Sequence, residues 1–141
     1  MARKFPVILL VDDSVAFRTF CRDAIKSSIK FIQIIEASDG IEGLKQYQKH
    51  KPDVILLDLK MPKLEGDKVL ELITKNDTHT KIIVTSAYGG DQESINALLK
   101  LGAIKFVPKP MNRISLMKEI TDMLAIGKMP GTNFTKSIPV N

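Results

Sequence analysis

Cysteine occurs once, at Cys21, and tryptophan not at all. A single thiol excludes an intramolecular disulfide and any zinc site built on cysteines. It suits a reducing cytoplasm, the expected location. His50 and His79 are the only histidines, and neither stands at ligand spacing from the other or from Cys21. Aromatics are scarce, with 6 Phe and 2 Tyr. No stretch interleaves them with basic residues as a single-strand nucleic-acid platform does. Long apolar runs are also missing. The run from Pro6 to Val11 falls far short of the ~20 residues that span a bilayer. Basic residues Arg3 and Lys4 precede that run, but it stops at Asp12-Asp13 with no small-residue cleavage site. No membrane insertion is expected.

What is present fits one globular domain. The chain has 141 residues, 44% hydrophobic and 26% charged, enough to bury a core without a disulfide or metal staple. Lys and Arg number 21 against 16 Asp and Glu, a formal charge of +5. The excess is scattered, which reads as a solvated surface rather than a nucleic-acid face. No direct nucleic-acid binding is expected of this domain.

Short apolar runs alternate with stretches of helical period. Phe5 to Val11 reads as a strand buried on both faces. After it, Val15, Phe17, Phe20, Cys21, Ala24 and Ile25 recur at helical spacing, with Asp13 or Ser14 as the cap. Phe31 to Ile35 predicts a second strand, and Ser38-Asp39-Gly40 a turn and cap before a helix that stops ahead of Pro52. Val54 to Leu57 predicts a third strand ending at Asp58, then a loop with Pro62 and Gly66 and a helix through Val69, Leu70 and Ile73. Lys81 to Val84 predicts a fourth strand ending in Thr85-Ser86-Ala87, and its helix runs from Asp91 to Leu101, closed by Gly102. Lys105 to Val107 predicts a fifth strand, and the last helix carries Ile114, Met117, Ile120, Met123 and Leu124. Five strand–helix units in strict alternation imply an α/β fold, a five-stranded parallel sheet with helices on both faces. Residues 127–141 hold Gly, Pro, Thr, Ser and Lys without period. They read as a flexible tail or a truncated linker.

Ligands of open parallel sheets bind at the carboxyl ends of the strands. Asp12 and Asp13 stand after the first strand, Asp58 after the third, Ser86 after the fourth and Lys109 after the fifth. Three carboxylates, a hydroxyl and an amine therefore converge on one rim. Clustered carboxylates push at least one pKa upward unless a cation joins them. Mg²⁺ prefers oxygen ligands, a few carboxylates, waters and a phosphate oxygen. An ionised Asp is a competent nucleophile toward phosphorus, and Lys109 would offset charge on the transferred oxygens.

Asp12-Asp13, Asp58-Leu59-Lys60-Met61-Pro62 with Gly66, Ser86-Ala87 and Lys109-Pro110 together resemble the receiver domain of two-component response regulators. The spacing is similar to that of the single-domain chemotaxis regulator, whose flavodoxin-like strand order, 2-1-3-4-5, obeys the doubly wound rule. The resemblance spans about residues 5–126, so residues 1–126 are expected to form the receiver. It implies Asp58 as phosphoacceptor and Asp12, Asp13 and Asp58 as Mg²⁺ ligands, with the backbone carbonyl of Lys60 as a further one. It implies Ser86 as the switch hydroxyl, with Thr85 as its competitor, Lys109 as the phosphoryl-contacting amine and Lys109-Pro110 as a cis peptide. Phe106 matches the aromatic switch position, more often Tyr. Lys60 and Tyr88 match the positions that tune phosphoryl lifetime, and a bulky Tyr88 would shield the acyl phosphate. The implied partners are a sensor histidine kinase or phosphotransfer protein and an output partner or domain that reads the face made by helix four, strand five and helix five. A phosphorylation-dependent dimer is a further expectation.

Two other classes compete. A phosphatase of the haloacid dehalogenase type wants a second Asp two residues after the nucleophile, where this chain has Lys60. A constitutive binding domain would not need the complete acidic set and Lys109. The expected role is a phosphoacceptor signalling domain that promotes only its own phosphorylation and dephosphorylation, acting alone or cut from a longer regulator.

Overall fold

Five parallel strands form one sheet, ordered β2-β1-β3-β4-β5. The computed structural model describes residues 5–87 and 91–125. In chain order the elements are β1 (Val7–Val11), α1 (Val15–Ser28), β2 (Gln33–Ala37), α2 (Gly40–His50), β3 (Val54–Asp58), α3 (Gly66–Thr74), β4 (Lys81–Ser86), α4 (Gln92–Leu101), β5 (Lys105–Pro108) and α5 (Arg113–Ala125). The flavodoxin-like, doubly wound α/β architecture read from the sequence is the one observed. The expectations placed on Tyr88 and on the 127–141 tail lie outside the described residues.

Each central strand feeds two cores because alternate side chains face opposite ways. Ile8, Leu10, Val54, Leu56 and Ile83 pack under α1 and α5 with Cys21, Ile25, Leu116 and Ile120. Leu9, Val11, Ile55, Leu57, Ile82 and Val84 pack under α2, α3 and α4 with Tyr47, Leu70, Ile73 and Leu98. All residues of β1 and β3 are buried, the pattern expected of strands covered on both faces.

Caps set where the helices begin. The Ser14 hydroxyl accepts the Phe17 N–H at 3.1 Å, so Ser14, not Asp13, caps α1. Asp39 accepts from Glu42 at 2.8 Å and Asp91 from Ser94 at 2.7 Å. Gly102, at φ 121°, ends α4, a left-handed backbone that favours glycine.

One strand is displaced from its expected position. Apolar content predicts the second strand at Phe31–Ile35, but it runs Gln33–Ala37. Phe31 instead stacks on Phe5, ring centroids 5.4 Å apart, and both rings are exposed. The register Val7↔Gln33 to Val11↔Ala37 places polar Gln33 and Glu36 on an edge strand, where one side of the ladder meets solvent. Apolar content alone misplaced its start.

The strand order reverses between β1 and β3, whose registers pair Ile8 with Val54 and Val11 with Leu57. Their carboxyl ends are therefore neighbours, and the chain leaves them toward opposite faces. The crevice so formed is where doubly wound folds bind ligands.

Candidate functional site

Asp12 and Asp13 follow β1 and Asp58 ends β3, so the crevice receives three carboxylates. An oxygen from each lies within 4.8 Å of the others. Asp12 is 2% and Asp58 5% exposed, while Asp13 faces solvent. The chain turns sharply here. The Ser14 N–H donates to Asp12 Oδ1 at 2.9 Å, and the Asp12 N–H extends the sheet by donating to the Ala37 carbonyl at 3.0 Å. Gly66 is required on the other side, because a Cβ there would lie 2.2 Å from the Asp58 carbonyl oxygen. The Gly66 N–H donates to the Leu59 carbonyl at 2.8 Å, which folds the loop after Asp58 back on itself.

Lys109 is the cation of the site. Its ammonium donates to Asp12 Oδ2 at 2.6 Å and stands 3.8 Å from Asp58 Oδ1. The Lys109 N–H is held by the Ser86 carbonyl at 2.8 Å, and the Lys109–Pro110 peptide is cis. Ser86 is buried at the end of β4, opposite Pro108 in register. Thr85 is fully buried and its hydroxyl lies 3.5 Å from the Leu57 carbonyl, so it is tied to the sheet rather than to the rim. Phe106 is half-buried and packs against the core under α2, α3 and α4. The side chain of Lys60 is exposed, while its backbone is hydrogen-bonded to the Asp58 carboxyl.

Electrostatics mark Asp58 out. Burial and then the Asp12 charge push its carboxyl up to about 6. Lys109 draws it down, Asp13 raises it further, and the Lys60 backbone lowers it slightly. Burial, reinforced by the Asp12 charge, pushes the neighbouring Cys21 thiol up to about 12, so that thiol is neutral and inert at neutral pH. Hard oxygen donors, two buried and one open to solvent, fit a small divalent cation that keeps several waters. They do not suit a soft metal. A carboxyl perturbed by burial and like charge at a fold's ligand crevice is also the usual mark of a functional group.

Three residues at the site went unrecognised in the sequence. Arg18 Nη1 donates to the Asp12 carbonyl at 2.6 Å, and its Nε donates to Glu36 at 2.9 Å. Phe17 lies under the Lys109 ammonium, its ring centroid 4.2 Å from Nζ. Helical spacing assigns Phe17 to the core stripe of α1, and period carries no sign of a contact with a residue as distant in sequence as Lys109. Glu36 sits on the strand whose start was misplaced.

Comparison with known proteins agrees with this geometry. The chain is 37% identical over 103 residues to the chemotaxis protein CheY of Listeria monocytogenes, covering 73% of this chain and 85% of that one. It is 38% identical over 123 residues to a protein-glutamate methylesterase/protein-glutamine glutaminase of Pyrococcus horikoshii, covering 86% of this chain but only 33% of that protein. The chain thus spans about a third of that enzyme's length. Among solved structures, the CheX-CheY-BeF3-Mg complex of Borrelia burgdorferi contains a chain that superimposes with a TM-score of 0.77 at 30% identity, covering 84% of this chain and 89% of that one. Among the described residues no helix is long and apolar enough to cross a membrane. The family model of the response regulator receiver domain matches residues 8–121, and the chain belongs to that family.

Proposed function

We propose that this domain accepts a phosphoryl group on Asp58 and passes the signal on by a change of surface. The observation that carries the reading is the carboxylate triad, two of its members buried, with the lysine beside it, Asp12–Lys109 at 2.6 Å and Asp58–Lys109 at 3.8 Å. Asp12, Asp13 and Asp58 would hold Mg²⁺, joined by the Lys60 carbonyl. Bound there, the ion supplies positive charge that keeps the carboxylates ionised and draws in phosphoryl oxygens. An ionised Asp58 oxygen attacks phosphorus on a phosphohistidine donor. An O–P bond forms, the N–P bond of the donor breaks, and the electron pair returns to its imidazole. Lys109 meets the charge growing on the transferred oxygens. The proposed donor is a histidine kinase or phosphotransfer protein, and the proposed location is the cytoplasm.

The new group adds about −1.5 to −2 charge at the rim, by analogy with phosphorylated hydroxyls. Ser86 turns toward it, and Phe106, now half-buried, moves into the space released. The face of α4, β5 and α5 repacks, and a partner or a second copy reads it. Lys60 and Tyr88 are the positions that set how readily water removes the group. The relatives are a chemotaxis protein matched over most of its length and a longer enzyme. No catalysis beyond its own phosphorylation and dephosphorylation is assigned to the chain.

The test is incubation with acetyl phosphate and Mg²⁺, read by mass spectrometry. One added phosphoryl group is expected, absent with EDTA and absent in Asp58→Asn. A group that persists in Asp58→Asn would rule out Asp58 as the acceptor.

A further inference from the structure

The Lys109 ammonium is enclosed on three sides, and only two of them are carboxylates. Asp12 takes a short hydrogen bond at 2.6 Å. Asp58 lies at 3.8 Å, close enough for charge attraction but too far for a hydrogen bond. The third side is the face of Phe17, 4.2 Å from Nζ to the ring centroid. The Lys109 side chain is 16% exposed, so this contact is largely withdrawn from water, where a cation over an aromatic face is held most strongly. Phe17 is itself fixed. Its N–H is bound by the capping hydroxyl of Ser14, its ring lies 6.2 Å from that of Phe20, and it packs on the core under α1 and α5.

A carboxylate holds an ammonium along a defined direction, because a hydrogen bond is directional. An aromatic face attracts it through a quadrupole spread over the ring, which leaves the ammonium free to swing about the ring normal. Lys109 must give up Asp12 in part to meet new oxygens on Asp58. It can do so without leaving the ring.

We infer that Phe17 is a positioning residue for phosphoryl transfer: its ring is the pivot on which the Lys109 ammonium turns from Asp12 toward the phosphoryl group on Asp58. The inference rests on the phosphoacceptor reading above. It extends that reading to a residue whose apolar character alone would place it in the core. Leucine would fill the same space and keep the packing but lose the ring face. Tyrosine would keep both.

Two measurements on the full chain test it. The first is NMR of the lysine ε-methylene groups, with Lys109 assigned by the signal lost in Lys109→Met. A group over a ring face is displaced upfield by the ring current. The displacement is expected in the wild type and in Phe17→Tyr, and is expected to vanish in Phe17→Leu. The second is the rate of phosphorylation by acetyl phosphate at saturating Mg²⁺. Phe17→Leu is expected to slow it about fivefold, and Phe17→Tyr to keep it within about twofold of the wild type. In a Lys109→Met background Phe17→Leu is expected to cost nothing further, since coupled residues are not additive. An undisplaced Lys109 signal in the wild type overturns the inference. So does a Phe17→Leu rate equal to wild type, or a loss that persists without Lys109. A wild-type chain that shows the displaced signal yet takes up no phosphoryl group overturns the phosphoacceptor reading, and the pivot with it.

Discussion

Burial and like charge act on the Asp58 carboxyl in the same direction, and its pKa near 6 has a consequence for stability. Between its ordinary value of 3.8 and about 6 the folded state holds a proton that the unfolded chain releases. Folded stability from this group is therefore fully present below 3.8 and is lost as pH rises through 6. Above that, the metal-free domain carries an ionised carboxylate it would rather not have. Asp58→Asn removes the charge and keeps the shape. At about pH 7.5 in EDTA it is expected to be more stable than the wild type by between about 1 and 3 kcal/mol, with the gap closing near pH 4. Urea unfolding at the two pH values measures this. A variant less stable than the wild type at the higher pH would contradict the electrostatic account. Asp77, a half-buried carboxyl, shows the opposite arrangement. Burial pushes it up, but hydrogen bonds from the Tyr47 hydroxyl at 2.6 Å, the His79 and Thr80 N–H groups and the Thr80 hydroxyl outweigh that and hold it well below the usual carboxylate range. Satisfied lone pairs make a structural carboxylate. Carboxylates crowded on one another make a site.

At the scale of elements, the site depends on where strands stop and how tightly the next loop returns. β3 stops at Asp58, and the loop returns so closely that Gly66 touches the Asp58 carbonyl. Gly66→Ala would place its Cβ 2.2 Å from that oxygen and 2.8 Å from the Leu59 Cα. Backbone, not a flexible side chain, would have to move. The expected cost is about 1–3 kcal/mol of stability, together with slower phosphorylation because Asp58 is displaced. Equal melting temperatures for Gly66→Ala and wild type would show that the loop has slack. Much of this was legible in the sequence. Short apolar runs ending in Asp12, Asp58, Ser86 and Lys109 mark strand ends, and strand ends of a parallel sheet share one rim. What was not legible has a common cause. The start of β2 is decided by pairing with β1, not by its own apolar content, and so Phe31 and Ile32 misled. Phe17 and Arg18 on α1 look like a core residue and a surface cation. Their partners, Lys109, the Asp12 carbonyl and Glu36, are set by tertiary contact, which local period does not carry.

For the whole molecule, the fold concentrates negative charge in one crevice of a chain whose formal charge is +5. Three carboxylates face one ammonium there, so the long-range balance of the protein repels a cation that the local site attracts. Burial decides which wins, because interactions among buried groups are screened far less than those across the surface. A ligand that binds only the folded state stabilises it by mass action, roughly 1.4 kcal/mol at tenfold excess over its Kd, or about 4–6 °C in Tm for a domain of this size. Mg²⁺ needs ionised carboxylates. Its stabilisation is therefore expected to be full at about pH 7.5, where Asp58 is ionised, and largely lost by about pH 5, below the raised pKa of that group. Sodium chloride of equal ionic strength is expected to give no such shift, since screening is not coordination. Asp58→Asn is expected to flatten the pH dependence by removing the group that titrates. Thermal melts with and without Mg²⁺ across this range decide the matter. An equal Mg²⁺ shift at both pH values would mean that the ion binds elsewhere on the surface and that the crevice carboxylates are not its ligands.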